Sequence, residues 1–337
     1  MIDKTIFVAT PIDTINDFHI RLKDEFNKVI YYPDLGKVIL REKLITSKPD
    51  ILFVNPNKQT YYIDKNLLKG TTITDIITAS TGLSHIDLNY CEQNNISVTS
   101  ITTDYNLLNQ ITSTAELAFT LMMNLIRNVP KGMEAAKNYS WNYVPFIGRQ
   151  LNQMKVGIVG YGRLGKMMTR YCQAFGAEVF VYDPYTTVPE DYIDHNQLVT
   201  GMHYPQQVDS LFHLFNESDI ISLHVHINDE TQKMINYNLL KNYKDKYLVN
   251  TSRGGIVNET DILLALENNN LKGYATDVLI DELGNIENSV IIKSMYKTTN
   301  NIIVTPHLGG STYDAMKLAY NGVVNKFKQK ICNSQYE

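Results

Sequence analysis

Three side chains in the last third of the chain have the right types to hold an acid and move a proton. Arg253 lies in NTSRGG (250–255), Glu282 closes DVLIDE (277–282) and His307 lies in TPHLGGS (305–311), each at or just past a strand-like run. Histidine can give and recover a proton near neutral pH. A carboxylate on its other ring nitrogen would favour the imidazolium and fix the tautomer. A guanidinium offers a planar fork to a carboxylate and can also polarise a carbonyl. Given a hydride donor, such a set suits reduction of a 2-oxo acid. The plainer reading stays open beside it, with Arg253 and Glu282 as a surface ion pair and His307 as a capping or core residue.

The segment VGIVGYGRLGKMM (156–168) provides for the hydride donor. Gly160, Gly162 and Gly165 form G-x-G-x-x-G between a strand and a helix. The first permits a tight turn, the second lets the backbone approach a pyrophosphate, and the third lets helix and strand pack closely. The helix then offers free N–H groups and its positive dipole end to phosphates. The next strand ends at Asp183, 23 residues beyond Gly160, where a carboxylate can accept from ribose hydroxyls and repel a 2′-phosphate. Pro184 and Tyr185 follow it rather than an arginine, which favours NAD over NADP.

These residues need a sheet to carry them. Six strand-like runs begin at Lys155: KVGIVG (155–160), AEVFVYD (177–183), DIISLHV (219–225), KYLVNTS (246–252), KGYATDV (272–278) and NIIVTP (301–306), mostly separated by helical patterns. That succession describes a doubly wound nucleotide-binding domain, whose ligand crevice lies at the carboxyl ends of the strands. The runs TIFVA (5–9), DILFVN (50–55) and TDIITAS (74–80) form an earlier β-α-β series. The final helical stretch, 312–331, could return to cover that first domain.

Composition sets the remaining bounds. A length of 337 residues exceeds what one core usually fills. A net charge of −4 offers no attraction to nucleic acid, and 22 scattered tyrosines do not form a base-stacking surface. Cys91, Cys172 and Cys332 are far apart, so neither a zinc site nor a disulfide framework is suggested, and no metal is expected. The opening MIDKTIFVATP lacks the features of a signal peptide, and the apolar run 115–126 is too short and too polar for a membrane span. A soluble, cytoplasmic protein is the expectation.

From ASTGLSHIDLN (79–89) through STAELAFTLMMNLIR (113–127), the glycine loop, NTSRGG and D-V-x-x-x-E to TPHLGGST (305–312), the chain resembles the D-isomer-specific 2-hydroxyacid dehydrogenases. The resemblance implies an α/β protein with two doubly wound parallel sheets, a Rossmann NAD-binding domain (109–305) being inserted in a flavodoxin-like substrate domain (1–108 and 306–337). It implies NAD as cofactor, a small 2-oxo or 2-hydroxy acid as substrate, a cleft holding both, and homodimers formed through the Rossmann domains. By position, Arg253 corresponds to the substrate-binding arginine, Glu282 to the histidine partner and His307 to the proton donor of the catalytic set. Thr81 and Gly82 correspond to residues whose backbone N–H groups bind the substrate carboxylate. Arg163 and Leu164 fall over the pyrophosphate and Asp183 on the ribose. Thr251 and Ser252 precede the arginine, Asp277 lies near the nicotinamide carboxamide, and Gly309 and Gly310 follow the histidine as in the phosphoglycerate dehydrogenase branch.

Several positions depart from that pattern. Leu283 stands where proline usually follows the glutamate, and His226 replaces the proline of L-H-x-P. The segments 104–112 and 184–206 read as long loops. The strand at 50–55 runs into Asn55 and Lys58 without the arginine that phosphoglycerate dehydrogenases tend to place there, which argues against a phosphorylated substrate. His224 and His226 read as sharing one face of a strand, with backbone or cofactor contact rather than metal binding as their role. Trp141 reads as packing at a domain or subunit boundary. Phosphoglycerate dehydrogenase, an NADP-preferring reductase and an NAD-responsive, corepressor-like binding protein stand as alternatives.

Overall fold

The computed structural model describes residues 1–55, 61–189, 204–283, 286–295 and 301–333. The chain divides into two compact units, Met1–Ile111 with Gly310–Glu337 and Thr112–Gly309. The division falls a few residues from the boundaries read in the sequence. At the second boundary the reason is local: Leu308 and Gly309 donate their N–H groups to Asp277, which ties them to the second unit.

The first unit is built on a parallel sheet of β1 (Ile2–Val8), β2 (Phe26–Tyr31), β3 (Ile51–Val54), β4 (Asp75–Thr78) and β5 (Ser97–Ser100), in the order β2-β1-β3-β4-β5. This is a flavodoxin-like order. Side chains alternate across it as the pleat requires. Ile6, Val8, Ile51 and Phe53 enter one core cluster, while Phe7, Leu52 and Val54 enter another. The helix Tyr313–Asn333 seats Ala315, Ala319, Tyr320, Val323 and Phe327 in the first cluster, at the spacing of one apolar helix face. β2 and β5 do not stand out in the sequence because both are edge strands of mixed polarity, FNKVIY and SVTS. The expected loop at 104–112 contains a helical turn, Tyr105–Leu108. Asp104 caps it by accepting from the Leu107 N–H at 3.1 Å, and Leu108 is buried.

The second unit holds β6 (Lys155–Val159), β7 (Glu178–Tyr182), β8 (Gln206–Gln207), β9 (Ile220–Leu223), β10 (Lys246–Asn250), β11 (Leu271–Thr276) and β12 (Ile302–Val304). All pair in parallel, in the order β12-β11-β10-β9-β6-β7-β8. The order reverses between β6 and β9, the switch point at which a Rossmann sheet takes its dinucleotide. Val156 and Ile158 face one core and Val159 the other, so both faces are covered. The two-residue β8 is an added edge strand at the end of the expected loop 184–206, most of which (190–203) lies outside the described residues. Trp141 is 93% exposed, so it is not packed into the core of its unit.

Candidate active site

The glycine loop joins β6 to the helix Arg163–Ala174, and each glycine answers a different constraint. Gly160 has φ +91°, and a Cβ there would come within 2.6 Å of the His224 carbonyl oxygen. A Cβ on Gly165 would sit 2.0 Å from the Gly160 carbonyl oxygen, so helix and strand are as close as backbones allow. A Cβ on Gly162 would meet nothing within 4 Å, which leaves the helix N-terminus open to a large anion. Arg163 and Leu164 start that helix, and burial pushes the Arg163 guanidinium down from its usual range. Asp183 follows β7 and is fixed by backbone donors: Tyr161 N–H to Oδ2 at 2.6 Å, and Tyr185 and Thr186 N–H to Oδ1 at 2.8 and 2.9 Å. Loop, helix start and acid therefore fit the pyrophosphate and ribose of a dinucleotide. Gly165→Ala is expected to cost about 1–3 kcal/mol of stability through overpacking. Gly162→Ala stays within about 0.5 kcal/mol of the parent but weakens dinucleotide binding. Urea unfolding with and without NADH separates the two effects.

At the carboxyl ends of β10, β11 and β12 the structure brings Arg253, Glu282 and His307 together. His307 Nδ1 lies 3.1 Å from Glu282 Oε2, both side chains being partly buried. Arg253 Nη1 donates to the Ser252 carbonyl at 2.6 Å. Burial pushes the Arg253 guanidinium down from its usual range, and the nearby Glu282 carboxylate opposes that shift. His307 holds a left-handed backbone, φ 53°, uncommon outside glycine and frequent where strain is kept for function.

Asp277 maintains that backbone. Its buried carboxylate accepts from Thr305 Oγ1 at 2.5 Å, Leu308 N–H at 2.7 Å and Gly309 N–H at 2.8 Å. Burial pushes this carboxyl up, against the pull of those three donors. Asp277 and Gly309, expected on the cofactor, thus also form the latch of the histidine turn.

Two positioning residues escaped the sequence reading. Asn250, fully buried, accepts from Ser252 N–H and donates to the Arg253 carbonyl, both at 3.0 Å, which locks the turn that presents Arg253. A side-chain bond to the backbone two residues on is a habit of Asn in turns, and that habit was the available signal. Glu259 begins a helix, where an acid reads as dipole compensation. Its Oε1 instead accepts from Ile280 N–H at 2.8 Å and steadies the segment leading to Glu282. Ser252 Oγ donates to the Leu223 carbonyl at 2.7 Å, and Thr251 is buried, its hydroxyl without a partner among the described residues.

The remaining expected residues lie in the first unit. Gly82 N–H donates to Ser80 Oγ at 3.1 Å, Thr81 is exposed and Gly310 is partly exposed. Asn55 donates to the Tyr320 hydroxyl at 2.8 Å; Lys58 lies outside the described residues.

β9 ends at Leu223, so His224 and His226 do not share a strand face as expected. His226 is exposed, whereas His224 Nε2 pairs with Ser222 Oγ at 2.9 Å and its Nδ1 is buried without a partner among the described residues. Burial pushes the His224 imidazole from 6.5 down to about 4. The folded chain thus keeps this ring neutral while the unfolded chain protonates it near the ordinary value. The resulting stability is intact above pH 6.5 and is lost as pH falls from there toward about 4. His224→Gln is expected to flatten this decline, read as a smaller drop in Tm between pH 7 and pH 5.

Comparison with known proteins gives the family and the fold. Residues 119–309 match the family model for "D-isomer specific 2-hydroxyacid dehydrogenase, NAD binding domain". The chain is 30% identical over 276 residues to a D-2-hydroxyacid dehydrogenase (NAD(+)) of Clostridioides difficile, covering 77% of each chain. It is 29% identical over 248 residues to the D-3-phosphoglycerate dehydrogenase of Bacillus subtilis, covering 73% of this chain and 43% of that one. It spans about half the length of three of the D-3-phosphoglycerate dehydrogenases it matches. The solved D-lactate dehydrogenase of Aquifex aeolicus, complexed with NAD and lactic acid, superposes with a TM-score of 0.75 at 26% identity, covering 98% of this chain and 96% of that one. With its glycine loop, its two parallel sheets and the family model matching more than half its length, the chain belongs to the D-isomer-specific 2-hydroxyacid dehydrogenases.

Proposed function

We propose that this chain interconverts a 2-oxo acid and a D-2-hydroxy acid with NAD as cofactor. The observation that carries the reading is the His307–Glu282 pair at 3.1 Å beside Arg253, on the sheet that holds the dinucleotide loop. The cofactor, when bound, supplies or accepts the hydride. Gly160, Gly162, Arg163, Leu164 and Gly165 hold its pyrophosphate and Asp183 its adenosine ribose. Thr251, Ser252, Asp277, Gly309 and Gly310 are the groups toward its nicotinamide end. Glu282 holds Nδ1–H of His307, which leaves Nε2 to protonate the carbonyl oxygen in reduction and to recover that proton in oxidation. The carboxylate offsets the charge on the ring when it is doubly protonated. Arg253 takes the substrate carboxylate or polarises the carbonyl. Thr81 and Gly82 are proposed to add backbone N–H contacts to the carboxylate.

The favoured substrate is an unphosphorylated acid. In support, the side chain at the end of β3 is the neutral Asn55, and its amide is engaged by Tyr320. A homodimer is proposed as well, supported by the exposed apolar segment with Tyr139 at 98%, Trp141 at 93% and Tyr143 at 75% exposure. A cytoplasmic setting is supported by three free cysteines, two of them buried. Among the described residues no helix is long and apolar enough to cross a membrane.

The test is NADH oxidation across glyoxylate, hydroxypyruvate, pyruvate, phosphohydroxypyruvate and bulkier 2-oxo acids. Reduction of at least one to its D-hydroxy acid is expected. NADH binding without turnover on any of them would favour a binding protein over an enzyme.

A further inference from the structure

The sheet order places the loop after β7 and the loop after β9 on either side of the glycine loop after β6. A side-chain bond links these two flanking loops: the Tyr185 hydroxyl donates to the Glu230 carboxylate. Glu230 sits on a constructed turn. Asn228 Oδ1 accepts from the N–H groups of Glu230 and Thr231 at 3.0 and 2.9 Å, and Thr231 Oγ1 donates to the His226 carbonyl at 2.6 Å. Among the described residues no lysine or arginine forms an ion pair with Glu230. Asp183, on the facing loop, already spends its oxygens on three backbone donors.

Resting on the NAD-dependent reading above, we infer that Glu230, anchored by Tyr185, is a second determinant of dinucleotide choice that works with Asp183 to reject a 2′-phosphate at the adenosine end. A 2′-phosphate beside Asp183 would bring two negative charges toward a carboxylate that Tyr185 holds across the same crevice. Repulsion of that kind adds little for NAD, whose ribose carries a neutral hydroxyl in that position. The role differs from that of Asp183 in one testable respect. Asp183 also shapes the glycine loop through Tyr161 N–H, whereas Glu230 is exposed and its carboxylate accepts from the Tyr185 hydroxyl.

Equilibrium fluorescence titration of the full chain with NADH and with NADPH tests this without turnover. The wild type is expected to bind NADH more tightly. Glu230→Gln should raise the NADPH-to-NADH affinity ratio about three- to ten-fold, and Glu230→Arg should raise it further. Tyr185→Phe, which releases the anchor, should shift it the same way by less. Asp229→Asn removes one charge from the adjacent position and should shift it less than Glu230→Gln does. An unchanged ratio in Glu230→Gln, or an equal shift in Asp229→Asn, overturns the inference and leaves the NAD-dependent reading standing. A wild type that binds neither dinucleotide overturns both.

Discussion

Replacing His307 by Asn is expected to lower kcat for 2-oxo acid reduction about 10²–10⁴-fold, the range that a positioned proton donor supplies, with NADH affinity largely kept. Asn is the informative substitution because it accepts the left-handed backbone that His307 adopts at φ 53°. The Asp277 latch on Leu308 and Gly309 should therefore survive, and the loss reports on the imidazole rather than on a collapsed turn. Glu282→Gln should cost less, about 10–100-fold. An amide oxygen can still accept from Nδ1–H at the position of Glu282 Oε2, so the tautomer is kept while the compensating charge is lost. Steady-state kinetics and NADH titration on the same preparations check both effects. Wild-type kcat in His307→Asn would remove the histidine from the chemistry.

Arg253→Ala should lower kcat/KM about 10³-fold or more, since this side chain is proposed to hold the substrate carboxylate or the reacting carbonyl. NADH binding should change by less than about three-fold, because Arg253 takes no part in the glycine loop and the turn is fixed by Asn250 through backbone groups. Arg253→Lys restores the charge without the fork and should stay about 10²-fold below the wild type. The guanidinium is partly buried and reaches the Ser252 carbonyl and the field of Glu282, so a compact ammonium has no equivalent seat. Unchanged turnover in Arg253→Ala would contradict its assignment.

Legibility in the sequence followed the source of each feature's energy. Gly160 and Gly165 stood out because their constraint is a clash that any side chain would create, and the residue type records it directly, while Gly162 stood out through its spacing from them. β6, β7, β9, β10 and β11 stood out because a strand covered on both faces must be apolar along its length. β2, β5 and β8 did not, being edge strands of mixed polarity. The turn Tyr105–Leu108 was taken for loop because its support comes from tertiary burial of Leu108 and a cap from Asp104. Arg253, Glu282 and His307 were found by type and strand-end position. The residues that aim them, Asn250 and Glu259, act through single bonds to distant or turned backbone, which spacing alone does not encode.

A crystal structure of the chain with NADH and oxamate, an unreactive analogue of a 2-oxo acid, is the most direct measurement. His307 Nε2 and the Arg253 guanidinium should both lie within about 2.6–3.2 Å of the bound analogue, the reach of a hydrogen bond, with Glu282 still on Nδ1. An analogue seated elsewhere, or a His307 ring turned so that Nε2 faces protein rather than ligand, would contradict the proposed chemistry.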